Sequence, residues 1–181
     1  MRPFIVKNAL SEEILEFISN LEKKWSKGGF VADTPDEIYH KPLQKHKVSI
    51  SGGRRCWTMP LNDNPEILKE LEEIVSKYPS QINLSPGMID SYLLEYREED
   101  VGFLTEHQDV YYNESDVRKL SMTIQLNDDF EGGEFCIMGE VIPLEKNDAV
   151  IFPSFLPHEV LPVSKGIRNV VIGWALGPHW Q

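Results

Sequence analysis

His107-Gln108-Asp109 sets an imidazole and a carboxylate two residues apart, and in extended chain that spacing turns both side chains to one side. A ring nitrogen and a carboxylate oxygen aimed at one point suit a borderline divalent metal, and two ligands seldom suffice. His158, just past the apolar run Ala149-Val150-Ile151-Phe152, belongs to a different strand and can supply the third. Two histidines and one carboxylate make the facial set of non-haem iron sites. That set leaves one face open, with room for a bidentate oxo-acid and O2. Arg168 opens another apolar stretch, and a buried guanidinium needs an anion because an unpaired buried charge is expensive. The far carboxylate of 2-oxoglutarate would meet it as a bidentate pair, and a salt bridge to Asp128, Asp148 or another acid is the alternative. In a chain with five histidines and 29 acidic residues an H-x-D pair alone carries little weight. The weight lies in the combination.

The elements that must position these groups divide into two kinds. Ser11 to Trp25 reads as an amphipathic helix, capped by Ser11, with Glu12 and Glu13 at its positive end and Gly28-Gly29 as its stop. A second helix starts at Asn64 with Pro65 in its first position and ends before Pro79, with Ile67, Leu68, Leu71, Ile74 and Val75 as its buried stripe. From about Gly87 the period changes to two. Tyr92, Leu94 and Tyr96 share one face against Ser91, Leu93 and Glu95. Leu120, Met122, Ile124 and Leu126 alternate with Ser121, Thr123, Gln125 and Asn127. A turn at residues 128–133, a short strand near Glu134 to Met138, the apolar strand 149–152 and the strand Arg168 to Leu176 complete the series. Two helices followed by many short strands predict a mainly β fold, a closed or double-sheet core with helices packed outside. Residues 1–181 read as a single domain, with 1–86 as a helical support region and 87–181 as most of the β core.

Composition bounds the function. With 41% hydrophobic and 26% charged residues the chain is ordinary globular protein, not a disordered one. It has no long apolar run and no signal-like N-terminus, so a soluble cytoplasmic protein is expected. Cys56 and Cys136 lack metal-type spacing and read as packing residues. A net charge of −11 argues against a broad nucleic-acid surface. Ile38 to Asn62 is a local exception, carrying Lys41, Lys45, Lys47, Arg54 and Arg55 without an acid, and reads as a solvated loop or a substrate-facing groove. Val110 to Asp116, with Tyr111 and Tyr112, is a candidate lid over the site.

Taken in order and spacing, several stretches carry a resemblance. They are Tyr96 upstream of His107-Gln108-Asp109, Leu120-Ser121 leading to Leu126-Asn127-Asp128-Asp129-Phe130-Glu131-Gly132-Gly133-Glu134, and Asn147-Asp148-Ala149-Val150-Ile151-Phe152-Pro153-Ser154. His158-Glu159-Val160 with Pro162-Val163, and Gly166-Ile167-Arg168 running to Gly173-Trp174, continue the series. Over roughly Ile89 to Trp174 the chain resembles the prolyl-4-hydroxylase-like branch of the iron(II)/2-oxoglutarate oxygenases. The resemblance implies a double-stranded β-helix, or jelly roll, using Fe(II), 2-oxoglutarate and O2, with ascorbate in support. It implies that Tyr96 joins Arg168 on the far carboxylate of the co-substrate. Ser121 matches a hydroxyl residue that adds a hydrogen bond there, Tyr92 is a second aromatic candidate on the same face, and Trp174 matches a tryptophan bordering substrate or co-substrate. For Tyr92, Ser121 and Trp174 plain core packing is an equal alternative. The implied activity is C–H hydroxylation, first of a prolyl residue in a peptide or protein. The alternatives are a free amino acid or small metabolite, and a non-catalytic metal-binding sensor. A nucleic-acid demethylase would carry a second arginine six residues beyond Arg168, where this chain has Trp174.

Overall fold

The computed structural model describes residues 2–28, 53–85, 89–110 and 116–179. In chain order these form β1 (Phe4–Val6), α1 (Glu12–Asn20), β2 (Ser26–Gly28), β3 (Arg54–Pro60), α2 (Pro65–Ser76), β4 (Ile89–Arg97) and β5 (Phe103–His107). There follow β6 (Asp116–Gln125), β7 (Glu131–Gly132), β8 (Phe135–Ile137), β9 (Glu140–Val141) and β10 (Ala149–Pro153). The chain ends on β11 (His158–Val160), β12 (Val163–Lys165) and β13 (Ile167–Pro178). Among the described residues no helix is long and apolar enough to cross a membrane.

The strands form one antiparallel, curled sheet in the order β1-β10-β6-β13-β4-β3-β5-β11-β8-β9, with β2 added on β3 and a separate β12-β7 pair. β3 makes the corner. Its first residues, Arg54 and Arg55, pair with Leu104 and Phe103 of β5, while Trp57 to Pro60 pair with Glu95 to Tyr92 of β4. One strand thus belongs to both halves of the jelly roll, and the two halves enclose a common interior.

Two apolar clusters follow from this curl. Leu120, Met122 and Ile124 of β6 and Val171 of β13 pack outward under the helices, with Ile14 and Ile18 of α1 and Ile67, Leu71 and Ile74 of α2. Each fully buried aliphatic side chain there contributes about 1.5–3 kcal/mol. Leu94 and Tyr96 of β4, Phe135, Val150, Phe152, Val160 and Val170 face the interior. The polar row of β6, Ser121, Thr123 and Gln125, is also buried, because it faces the enclosed interior rather than water. Both faces of β6 therefore avoid solvent, and the usual polar-out rule for a two-faced strand does not apply.

Two expectations need correction. The first helix ends at Asn20, not Trp25, with Leu21 as its C-cap residue. Lys23 turns its ammonium back onto the Ile18 carbonyl, and the chain straightens so that Ser26 to Gly28 can pair with β3. Leu21 and Trp25 still pack on the core, but from extended chain. The stretch expected as helical support also contributes β1, β2 and β3 to the sheet. β1 pairs with the apolar β10, which is too short and too uniform for sequence periodicity to reveal its partner. Asn147 turns the chain into β10 with φ 65°, and its amide bonds both the Leu10 carbonyl and the Leu10 N–H.

Candidate active site

His107 ends β5 and His158 opens β11, and the antiparallel register sets them directly opposite each other. Their rings lie 4.2 Å apart, centroid to centroid. Asp109 follows in extended chain, pinned by its N–H to the Ser154 carbonyl at 2.9 Å. Its two carboxylate oxygens divide between the histidines, Oδ1 at 3.3 Å from His107 Nε2 and Oδ2 at 3.3 Å from His158 Nε2. The three ligating atoms lie within 4.8 Å of one another.

Backbone carbonyls set both rings. His107 Nδ1 is 2.9 Å from the Thr105 oxygen and His158 Nδ1 is 2.9 Å from the Leu156 oxygen. A carbonyl only accepts, so each Nδ1 carries the proton and each Nε2 is directed at Asp109. Two Nε2 atoms and a carboxylate converge in this way either as imidazolium donors or as lone pairs around a shared cation. Burial pushes the Asp109 carboxyl up, but the two histidines hold it well below the usual carboxylate range. An ionised carboxylate with two oriented imidazoles is the donor set a divalent transition metal takes, with carbonyls fixing the rings behind it. The residues present fit an iron(II) centre.

Ser121 lies beside the Asp109 carboxylate. Its hydroxyl donates to Asp109 Oδ2 at 2.7 Å and sits 3.0 Å from Ser154 Oγ. It braces the carboxylate from the wall of the cavity. Tyr96 and Arg168 are cross-strand partners in β4 and β13, both 1% exposed, with the guanidinium carbon 5.6 Å from the ring centroid. Arg168 Nε donates to Gln125 Oε1 at 3.1 Å, while both terminal nitrogens are buried with no hydrogen-bond partner among the described residues. The acids offered as alternative partners do not reach it, and Asp148 pairs instead with Lys7 at 2.7 Å. Burial pulls the Arg168 guanidinium down to about 10, so it remains a cation at neutral pH, and burial pushes the Tyr96 phenol up. One cavity of about 450 Å³ is lined by the triad, Arg168, Tyr96, Tyr92, Ser121 and Trp174. Two orphaned guanidinium nitrogens facing a cavity with a metal-type cluster are what a metal-chelating dicarboxylate would satisfy.

Tyr92 and Trp174 stack edge to face, centroids 5.9 Å apart, and the Arg118 guanidinium lies 3.7 Å over the Trp174 ring. Of the basic stretch 38–62, Lys41, Lys45 and Lys47 lie outside the described residues, as do Tyr111 and Tyr112 of the candidate lid. Arg55 is not groove-facing: it is buried over the Phe103 ring and reaches the Asp100 carbonyl. Arg54, on the opposite face of the strand, lines the cavity. Gln125 and Ser154 were not singled out by sequence, and Arg54 was named only as one member of the basic stretch. Gln125 had a signal, since it shares the inward face of β6 with Ser121.

The family model described as the 2OG-Fe(II) oxygenase superfamily matches residues 92–176. A PKHD-type hydroxylase of Synechococcus sp. (strain CC9902) is 35% identical over 172 residues, 90% of this chain and 72% of that protein. Among solved structures, a Pseudomonas putida prolyl-4-hydroxylase superposes with a TM-score of 0.65 at 15% identity, covering 98% of this chain and 93% of that one. A Trichoplax adhaerens prolyl hydroxylase, solved with a hypoxia-inducible-factor peptide fragment, superposes at 0.61 with 16% identity, covering 96% and 82%. At those identities the two superpositions speak for the fold: a jelly roll shared over nearly the whole chain.

Proposed function

Because this chain belongs to the 2OG-Fe(II) oxygenase superfamily, whose members use Fe(II), 2-oxoglutarate and O2, we propose that it hydroxylates a prolyl residue of a peptide or protein. In this reading His107, Asp109 and His158 hold the metal, and Arg168 with Tyr96 takes the far carboxylate of 2-oxoglutarate. The observation that carries it is the pair of buried, unpartnered terminal nitrogens of Arg168 in the same cavity as the triad.

Iron(II) with 2-oxoglutarate and O2 supplies the oxidising power that converts C–H to C–OH, with succinate and CO2 as the other products. The chain supplies position. The Thr105 and Leu156 carbonyls keep both Nε2 atoms aimed inward, and Ser121 holds one oxygen of Asp109. Gln125 fixes Arg168 by its Nε, leaving the fork of the guanidinium for a planar bidentate contact. Phe135 and Phe152 pack on the His158 ring and keep water from that side.

The prolyl assignment draws on the names of the similar proteins and on Tyr92 and Trp174, whose edge-to-face pair offers an apolar wall to a saturated ring. A free amino acid is the second reading, favoured by a cavity of only about 450 Å³. The test is incubation with iron, ascorbate, 2-oxoglutarate and either proline-containing peptides or free amino acids, reading succinate and one added oxygen by mass. Turnover of peptides is the expected result. Turnover of free amino acids alone refutes the peptide assignment, and no turnover with His107→Ala, Asp109→Asn and His158→Ala all retaining full metal stoichiometry refutes the site.

A further inference from the structure

The cavity holds a second arginine that the iron and co-substrate reading leaves without a role. Arg54 opens β3, its Cα paired with Leu104, and the preceding Gly53 is clamped to Thr105: Gly53 N–H donates to Thr105 Oγ1 at 2.8 Å and that hydroxyl donates to the Gly53 carbonyl at 3.1 Å. Thr105 is also the residue whose carbonyl orients His107. The strand end carrying Arg54 is thus tied to the strand end carrying a metal-type ligand.

Arg54 repeats the pattern of Arg168. Its Nε donates to Cys56 Sγ at 2.9 Å, two residues along on the same strand face, so the side chain is held and its terminal nitrogens remain for something else. A thiol is a weak, neutral acceptor and does not offset the charge. No carboxylate pairs with Arg54 among the described residues. Whereas Arg168 is sealed inside, Arg54 is half-buried and borders both the cavity and solvent.

The charge of the cavity points the same way. In a chain of net charge −11, its lining among the described residues carries Lys27, Arg54, Arg118 and Arg168 and a single carboxylate, Asp109. Arg118 lies 3.5 Å from Asp90, outside that lining. Iron(II), ionised Asp109, dianionic 2-oxoglutarate and Arg168 carry no net charge between them. Arg54 is therefore positive charge in excess of that set, partly desolvated, where a cation without an anion is costly.

From this we infer that the substrate bears a carboxylate near the oxidised carbon, and that Arg54 is the specificity-determining residue that binds it. The inference rests on the iron and 2-oxoglutarate reading of the cavity but not on the prolyl assignment. The carboxylate is either the α-carboxylate of a free amino acid or an acidic group of a peptide, and the two sources are separable.

The test is calorimetric binding to the full chain loaded with Mn(II) and 2-oxoglutarate without oxygen, using carboxylate and amide versions of each probe. The probes are L-proline and L-prolinamide, the C-terminal amides of N-acetyl-prolyl-glutamate and N-acetyl-prolyl-glutamine, and L-leucine and L-leucinamide. In at least one pair the carboxylate member should bind ten to a hundred times tighter, the loss expected for one charge-assisted hydrogen bond. Arg54→Ala should erase that difference, Arg54→Lys should keep part of it, and the affinity for 2-oxoglutarate should move less than twofold in both. The free amino acids and the peptides then identify the source. The inference is overturned if no pair differs in the wild-type protein, if the difference survives Arg54→Ala, or if Arg54→Ala weakens 2-oxoglutarate more than the probes. Arg54-dependent binding confined to the leucine pair, or prolyl probes that bind but gain no oxygen under turnover, would instead overturn the prolyl assignment and leave the role of Arg54 intact.

Discussion

Arg168→Met separates a guanidinium kept for a ligand from one kept for the fold. With only Nε bonded and both terminal nitrogens orphaned, Arg168 is a buried cation four-fifths unsatisfied among its five donors. Replacing such a charge by an apolar side chain of similar volume gains about 1–4 kcal/mol. Against this, Gln125 Oε1 loses its partner and Tyr96 its cation, together about 2–4 kcal/mol. The two sides nearly cancel, so the thermal midpoint of the ligand-free protein should move by no more than a few degrees. Binding is another matter. Two charge-assisted hydrogen bonds to a carboxylate contribute about 3–5 kcal/mol, so 2-oxoglutarate affinity should fall by roughly two to four orders of magnitude. Thermal unfolding with and without 2-oxoglutarate reads both numbers in one assay. The wild-type protein gains about 2.7 kcal/mol of stability at a hundredfold excess over Kd, and the variant should gain almost nothing. Metal stoichiometry, measured on the same samples, should stay at the wild-type value. If the ligand-free protein loses several kcal/mol while its affinity for 2-oxoglutarate is unchanged, Arg168 is a structural residue and the co-substrate pocket lies elsewhere.

Ser121→Ala removes the 2.7 Å hydrogen bond to Asp109, and loss of such a supporting contact should lower metal affinity about 10–100-fold with little effect on the KM for 2-oxoglutarate. Competition with a metal-binding dye, set beside steady-state kinetics, checks this, and the reverse pattern would return Ser121 to the co-substrate. Gln125→Glu places a carboxylate on Arg168 Nε, where it competes with the ligand for the same charge, so the KM for 2-oxoglutarate should rise about tenfold or more. Gln125→Leu should raise it less, because the cation then remains unneutralised, and equal effects from the two variants in the succinate assay would contradict a charge-based role.

What could be read without coordinates was whatever depended on one strand at a time. Period two placed Tyr92, Leu94 and Tyr96 on one face and Ser121, Thr123 and Gln125 on another, and both rows line the interior. His107 and Asp109 were legible as a pair because two residues of extended chain fix their relation locally. His158 was legible as a third ligand from its place just past an apolar strand, but nothing in the sequence states that it pairs in register with His107. The same limit explains Ser121: its position on an inward face was readable, but whether its hydroxyl meets a ligand or Asp109 is decided by where the chain beyond β5 lies relative to β6. It explains α1 as well. Leu21 and Trp25 continue a helical apolar stripe by spacing, yet pairing of β2 with β3 rewards an extended chain there, and tertiary pairing outweighs local periodicity.

Arg54 and Arg55 make the limit sharpest. By composition they were two equal members of a basic stretch, but a strand sends neighbours to opposite faces. β3 is the corner strand of the jelly roll, so one face means the cavity and the other means the Phe103 ring and the Asp100 carbonyl. Only the register with β5 says which arginine gets which face. A one-residue slip would exchange them, putting Arg55 beside the metal-type cluster and Arg54 in the packed layer. The clamp between Gly53 and Thr105 fixes that register on the very residue whose carbonyl orients His107, so the placement of the surplus cation and the aim of the first histidine are set by the same contact.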